Sequence, residues 1–141
     1  MTQQWPKKVF IYTDGASRGN PGPCALGIYV IDSDRKIIYQ EGQYLEASNT
    51  NNFAEYQAVI YALQLSVKHK VDNVHLYSDS ELLVQQINKK YKVKSPNIKP
   101  LFEECQKLLL QIPHYTFEHV RREKNTQADA LANEALDQAY L

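Results

Sequence analysis

The sequence predicts an α/β fold built on a mixed sheet covered by helices. Three β-rich runs follow one another near the start, and segments of helical period then alternate with shorter β-rich runs. The resulting order, βββαβααβα, calls for parallel pairing wherever a helix intervenes. A chain of 141 residues is long enough for one domain with a proper core and short for two, so a single domain over residues 1–141 is expected.

The first run, Val9–Thr13, has no helical period and stops at Asp14 and Gly15, which puts an acid where a strand ends. Residues 15–23 hold three glycines and two prolines, a composition for a tight loop whose backbone amides are open to a ligand. A second apolar run from Ala25 to Ile31 completes a hairpin, and Lys36–Tyr44 reads as a third strand after the turn at Asp32, Ser33 and Asp34. From Asn51 to about Lys68 the small and apolar residues Ala54, Ala58, Tyr61, Ala62 and Leu65 recur at helical spacing. Asn52 is the expected N-cap, which sets Glu55 at the third helical position.

Asn73–Ser78 alternates as a short strand ending at Asp79, and Ser80 to about Lys89 is a second helix. Residues 89–100 carry five lysines, two prolines and Tyr91, a basic connector to a third helix over Leu101–Leu110. His114–Val120 alternates as a fifth strand. Arg121–Thr126 is a polar loop, and Gln127–Leu136 is a last helix with Ala128, Leu131, Ala132, Ala135 and Leu136 on one face.

Sixteen basic and sixteen acidic residues cancel, so net charge points to no polyanion, and any such contact must come from local clusters. Cys24 and Cys105 lie far apart without metal-ligand spacing and read as reduced structural thiols, which fits a cytoplasmic protein. The start, MTQQWPKKVF, lacks a signal-peptide core, and no run approaches a membrane span.

Asp14 and Asp79 each follow a strand, whereas Glu55 and Asp129 each fall in the first turn of a helix after a loop. In an open sheet those positions share one rim, the usual address of a site. Four acids there would repel unless a hard cation sat among them, and Mg²⁺ with oxygen ligands meets that need. Phosphoryl transfer is the chemistry that uses such a cluster. Each helix acid could equally be a capping-box residue answering the helix dipole, as could Glu81, and single residues leave both readings open.

The strings YTDGASRGNPGPCALG, TNNFAEYQAVIYAL, LYSDSELLVQQI and NTQADALANEAL, in that order from Tyr12 to Leu136, resemble the type 1 ribonucleases H. The resemblance implies a ribonuclease H-like fold, a five-stranded mixed sheet with helices on both faces. It implies endonucleolytic hydrolysis of the RNA strand of RNA–DNA hybrids, leaving 3′-hydroxyl and 5′-phosphate ends. By it, Asp14, Glu55, Asp79 and Asp129 hold two Mg²⁺ ions, with Mn²⁺ as a substitute. Gly15, Asn20, Asn51, Asn52 and Asn125 match positions at or near the substrate, and short polar groups with open backbone suit 2′-hydroxyls and minor-groove edges.

Two departures accompany the resemblance. The loop before the last helix, Arg121-Arg122-Glu123-Lys124, lacks the histidine of the best-known members, so the chain resembles the branch with a short loop free of histidine. Arg122 is the candidate there for steadying phosphate charge, because an arginine cannot act as a base near neutral pH. The connector at 89–100 is too short for the separate basic helix that some members use to grip the hybrid. A hybrid- or double-stranded-RNA-binding module with little or no cleavage is the alternative, another phosphodiester chemistry on the fold is a third reading, and a monomer is the default.

Overall fold

The computed structural model describes residues 4–140. Five strands form one sheet in the order β3-β2-β1-β4-β5, from β1 (Lys8–Ser17), β2 (Gly22–Ile31), β3 (Ile37–Asn49), β4 (Asn73–Ser78) and β5 (His114–His119). β1, β2 and β3 pair antiparallel, while β1, β4 and β5 run parallel. Helices α1 (Asn51–Lys68), α2 (Glu81–Ile87) and α3 (Lys99–Leu109) fill connections between strands, and α4 (Thr126–Ala139) follows β5 after a 3-10 turn at Arg122–Lys124. The expected element order and mixed sheet are both present.

Alternation along β1 divides the layers. Val9, Ile11 and Thr13 are buried on the face that α1 covers, where Ile28, Val30, Tyr56, Leu63, Val74 and Leu76 complete the core. α1 is buried nearly all round because it lies between the sheet and α3, which explains why small and apolar residues occupy more than one of its faces. The other face carries α4, seated on β2, β3 and β1.

Glycines permit these close approaches. A Cβ on Gly27 would stand 2.0 Å from the Ala128 carbonyl oxygen, and one on Gly42 would stand 2.1 Å from that of Leu131. α4 therefore lies directly on strand backbone, with Ala128, Ala132 and Leu136 buried beneath it. On the opposite face a Cβ on Gly15 would meet the Glu55 amide nitrogen at 2.2 Å, so the start of α1 lies against β1.

Several boundaries differ from the sequence reading. β1 does not end before Asp14, because its ladder with β2 continues through Asp14↔Gly27 to Ser17↔Cys24 while its ladder with β4 stops at Tyr12↔Tyr77. The glycine-rich loop shrinks accordingly to residues 18–21. The cap of α1 is Thr50, whose hydroxyl accepts a hydrogen bond from the Phe53 amide at 3.1 Å, and Asn52 lies inside the helix. α2 ends at Ile87, α3 begins two residues earlier than expected, and β3 runs on to Asn49.

Candidate active site

The site forms where the two ladders of β1 part company. Beyond the Tyr12↔Tyr77 pair, β1 continues beside β2 while β4 turns away into α2. Two residues past that pair on each strand stand Asp14 and Asp79, so a crevice opens between two acids in the same register.

The helices bring the other two acids from opposite faces. Contact with Gly15 presses the start of α1 against β1 and sets Glu55 beside Asp14, and the seat of α4 on Gly27, the pairing partner of Asp14, brings Asp129 in from the far side. All four acids line one cleft of about 420 Å³, together with Gly15, Asn20, Asn51 and Arg122.

None of the helix acids is a capping residue. With Thr50 as the cap, Glu55 is the fifth residue of α1 and lies beyond reach of the free amides of its first turn. Ser80 caps α2 through its own hydroxyl, which accepts from the Leu83 amide, so Glu81 is the first helical residue and not a reciprocal partner. Asp129 follows a cap, Asn125, that makes no side-chain capping bond, and one of its carboxylate oxygens accepts from Asn133 Nδ2 at 3.1 Å.

The electrostatics record the crowding. Asp14 is 6% exposed and its carboxyl is pushed up to about 9, first by burial, then by the charge of Asp79, then by a hydrogen bond to Asp129 and the charges of Asp129 and Glu55. Glu55, 9% exposed, is pushed up to about 7 chiefly by burial, which a hydrogen bond from the Ser80 hydroxyl partly offsets and the charge of Asp79 reinforces. Among the described residues no three histidine, cysteine or acidic side chains are drawn tightly enough to make a finished cage. The acids instead ring an open cleft. Oxygen donors at this density, with Asp79 raising the proton affinity of both Asp14 and Glu55, fit a hard divalent cation that would take the place of a proton.

The remaining candidates divide by depth. Asn20 Oδ1 accepts from the Asn51 amide at 3.0 Å, tying the hairpin tip to α1, and Asn51 Nδ2 reaches Glu55 Oε1 at 3.4 Å. Asn52 turns away from the acids into an adjoining pocket with Asn20, Thr50, Ser95 and Asn97, and its Oδ1 is buried without a partner. Asn125 is 1% exposed and stands behind the cleft wall. There its Nδ2 donates to the Thr13 carbonyl at 2.9 Å, so it joins β1 to the start of α4 instead of facing a substrate. His114 and His119 are exposed at the two ends of β5 and do not line the cleft.

Residues that escaped the sequence reading are steric. Gly27 and Gly42 let α4 lie close, and their signal was available as single glycines inside strand runs, Gly27 in an apolar one and Gly42 in a polar stretch of the third strand. Ser80, beside Glu55, carried no separate signal from its role as a helix start.

Comparison with known proteins accords with this geometry. The family described as reverse transcriptase-like matches residues 12–135. A bifunctional protein of Mycobacterium tuberculosis is 39% identical over 94% of this chain, which spans only 36% of that protein's length. A ribonuclease H of Clostridium botulinum is 35% identical over 94% of this chain and 97% of its own. Among solved structures, LC11-RNase H1 in complex with an RNA/DNA hybrid superposes with a TM-score of 0.89 at 40% identity, covering 94% of this chain and 99% of that one. The match spans nearly the whole chain in sequence and in backbone, and the chain belongs to the type 1 ribonuclease H family.

Proposed function

We propose that the protein is a metal-dependent endonuclease that hydrolyses the RNA strand of RNA–DNA hybrids, leaving 3′-hydroxyl and 5′-phosphate ends. The observation that carries this reading is the meeting of Asp14 on β1, Glu55 on α1, Asp79 in the turn after β4 and Asp129 on α4 around one cleft open to solvent. Those four would hold two divalent ions, Mg²⁺ or Mn²⁺, which when bound supply Lewis-acid activation of water and neutralise charge at the scissile phosphate.

The rest of the chemistry falls to the chain itself. Buried Asp14 and Glu55 hold protons that cation binding would release, and Asn133 steadies the Asp129 carboxylate. Arg122, on the 3-10 turn at the cleft wall, adds a fixed positive charge that cannot move a proton and so serves the phosphate oxygens. Asn20 and Asn51 present short polar groups where a 2′-hydroxyl would lie. The adjoining pocket, with the buried unpaired Asn52 Oδ1 and the hydroxyls of Thr50 and Ser95, extends the polar surface toward the second strand. Exposed Lys90, Lys92, Lys94 and Tyr91 on the connector add a small phosphate-facing patch.

The protein acts in this reading as a cytoplasmic monomer. No helix among the described residues is long and apolar enough to cross a membrane, and both cysteines are buried and free. The test is to incubate it with labelled hybrid, duplex DNA and duplex RNA in Mg²⁺, in Mn²⁺ and in chelator. Cutting of the hybrid's RNA strand alone, in metal alone, is the expected result; tight binding without cutting in either metal would transfer the assignment to a binding module.

A further inference from the structure

α4 covers β2, β3 and the upper part of β1, leaving the lower half of that sheet face open. The open half is aromatic. Phe10 and Tyr12 on β1, Tyr29 on β2 and Tyr77 on β4 floor a groove of about 570 Å³. Tyr12 and Tyr77 stack at 4.8 Å with their planes 22° apart, and Phe10 stacks on His75 at 4.9 Å. All are half-buried, so ring surface faces solvent in two successive rows across neighbouring strands.

The rim is cationic at both ends. Arg35 stands in the β2–β3 turn at the foot of the groove, and Lys124 and Gln127 stand at its head, all exposed. Of the acids nearby, Asp32 has one carboxylate oxygen committed to the amides of Asp34 and Lys36, and Glu118 lies to one side, opposite Tyr77 on β5. An apolar protein partner would leave these charges and the tyrosine hydroxyls unanswered, since Ile31 is the one aliphatic side chain in the lining.

The groove also neighbours the catalytic cleft, its lining residues standing close in the chain to those of the cleft. Tyr12 precedes Asp14 by two residues on the same face of β1, Tyr77 precedes Asp79 by two, and Gln127 and Lys124 stand two residues from Asp129 and Arg122. Successive residues on one strand face lie about 7 Å apart. Aromatic rings spaced along a strand, beside cations that can meet phosphates, suit bases of an unpaired strand, because every base has a π face.

We infer that this groove binds single-stranded nucleic acid, stacking bases on Tyr12 and Tyr77 while Arg35 and Lys124 meet phosphates, and so holds an unpaired strand where it leaves the catalytic cleft. The inference rests on the nuclease reading for the direction of the strand, yet binding at the groove needs neither metal nor cleavage.

The experiment is fluorescence anisotropy of labelled oligouridine and oligothymidine at low salt in chelator, on the full chain and on Tyr77→Leu, Tyr77→Phe and Arg35→Gln variants, each checked for folding by its thermal transition. Tyr77→Leu is expected to weaken binding about tenfold, Arg35→Gln to weaken it several-fold, and Tyr77→Phe to retain it, with the tighter of the two probes identifying which strand is held. Cleavage of a blunt hybrid should be unchanged in all three variants. Equal binding by the full chain and Tyr77→Leu, an equal loss in Tyr77→Phe, or no binding of either probe would overturn the inference. Failure of the parent chain to cut any hybrid would count against the nuclease reading and leave the binding result intact.

Discussion

Replacing Asp14 by Asn removes a carboxyl whose ionisation the fold opposes, so it should abolish cleavage while making the metal-free protein more stable. The sign follows from linkage. Asp14 has its carboxyl raised from 3.8 to about 9 in the fold. The folded protein therefore binds more protons than the unfolded chain through that interval, and stability falls as pH rises across it. At pH 7.5 the distance from 3.8 sets an upper bound of about 5 kcal/mol, and relaxation of the acids and water entry reduce the expected gain to roughly 1 to 3 kcal/mol. For a chain of this length that corresponds to about 3 to 10 °C in Tm. The assay is thermal unfolding by circular dichroism in chelator, near pH 8 and near pH 5, for parent and variant. The gain should be large at the higher pH and small at the lower one. Mg²⁺ should raise the parent's Tm more than the variant's. A variant less stable than the parent near pH 8 without metal would refute the picture of mutually repelling acids.

Three further substitutions separate steric from chemical roles. Gly27→Ala drives a methyl into the Ala128 carbonyl, and lifting α4 should cost about 3 kcal/mol and lower kcat by displacing Asp129, both read from unfolding and cleavage rates. Asn125→Ala leaves the buried Thr13 carbonyl without its donor, for a loss of roughly 1 to 3 kcal/mol in denaturant unfolding. Arg122→Ala should lower kcat on the hybrid by about 10- to 100-fold with little change in stability, and Arg122→Lys should recover only part of it, since an ammonium lacks the planar fork.

The element order and the meeting of the four acids were legible because each acid sits at a change of periodicity, and only a sheet rim can collect such positions. What stayed hidden depended on partners distant in sequence. Asp14 reads as a strand end because the apolar run stops there, yet β2 goes on pairing past it while β4 does not, and no local signal distinguishes one neighbour from the other. Asn52 and Thr50 are both good caps by residue type. Their choice is set by the hairpin tip, where Asn20 binds the Asn51 amide and fixes the helix start. That two-residue difference moves Glu55 out of the capping turn and leaves its carboxylate to the cleft. Asn125 matches a family position near the substrate, but burial makes it a brace between β1 and α4.

Diffraction from crystals soaked in Mn²⁺, with anomalous scattering locating the ions, tests the central claim most directly. The account expects density for the metal in the cleft between β1, α1, β4 and α4, with oxygens of Asp14, Glu55, Asp79 and Asp129 among its ligands. Metal bound elsewhere, or bound there with one of those carboxylates turned toward its own helix amides, would contradict it.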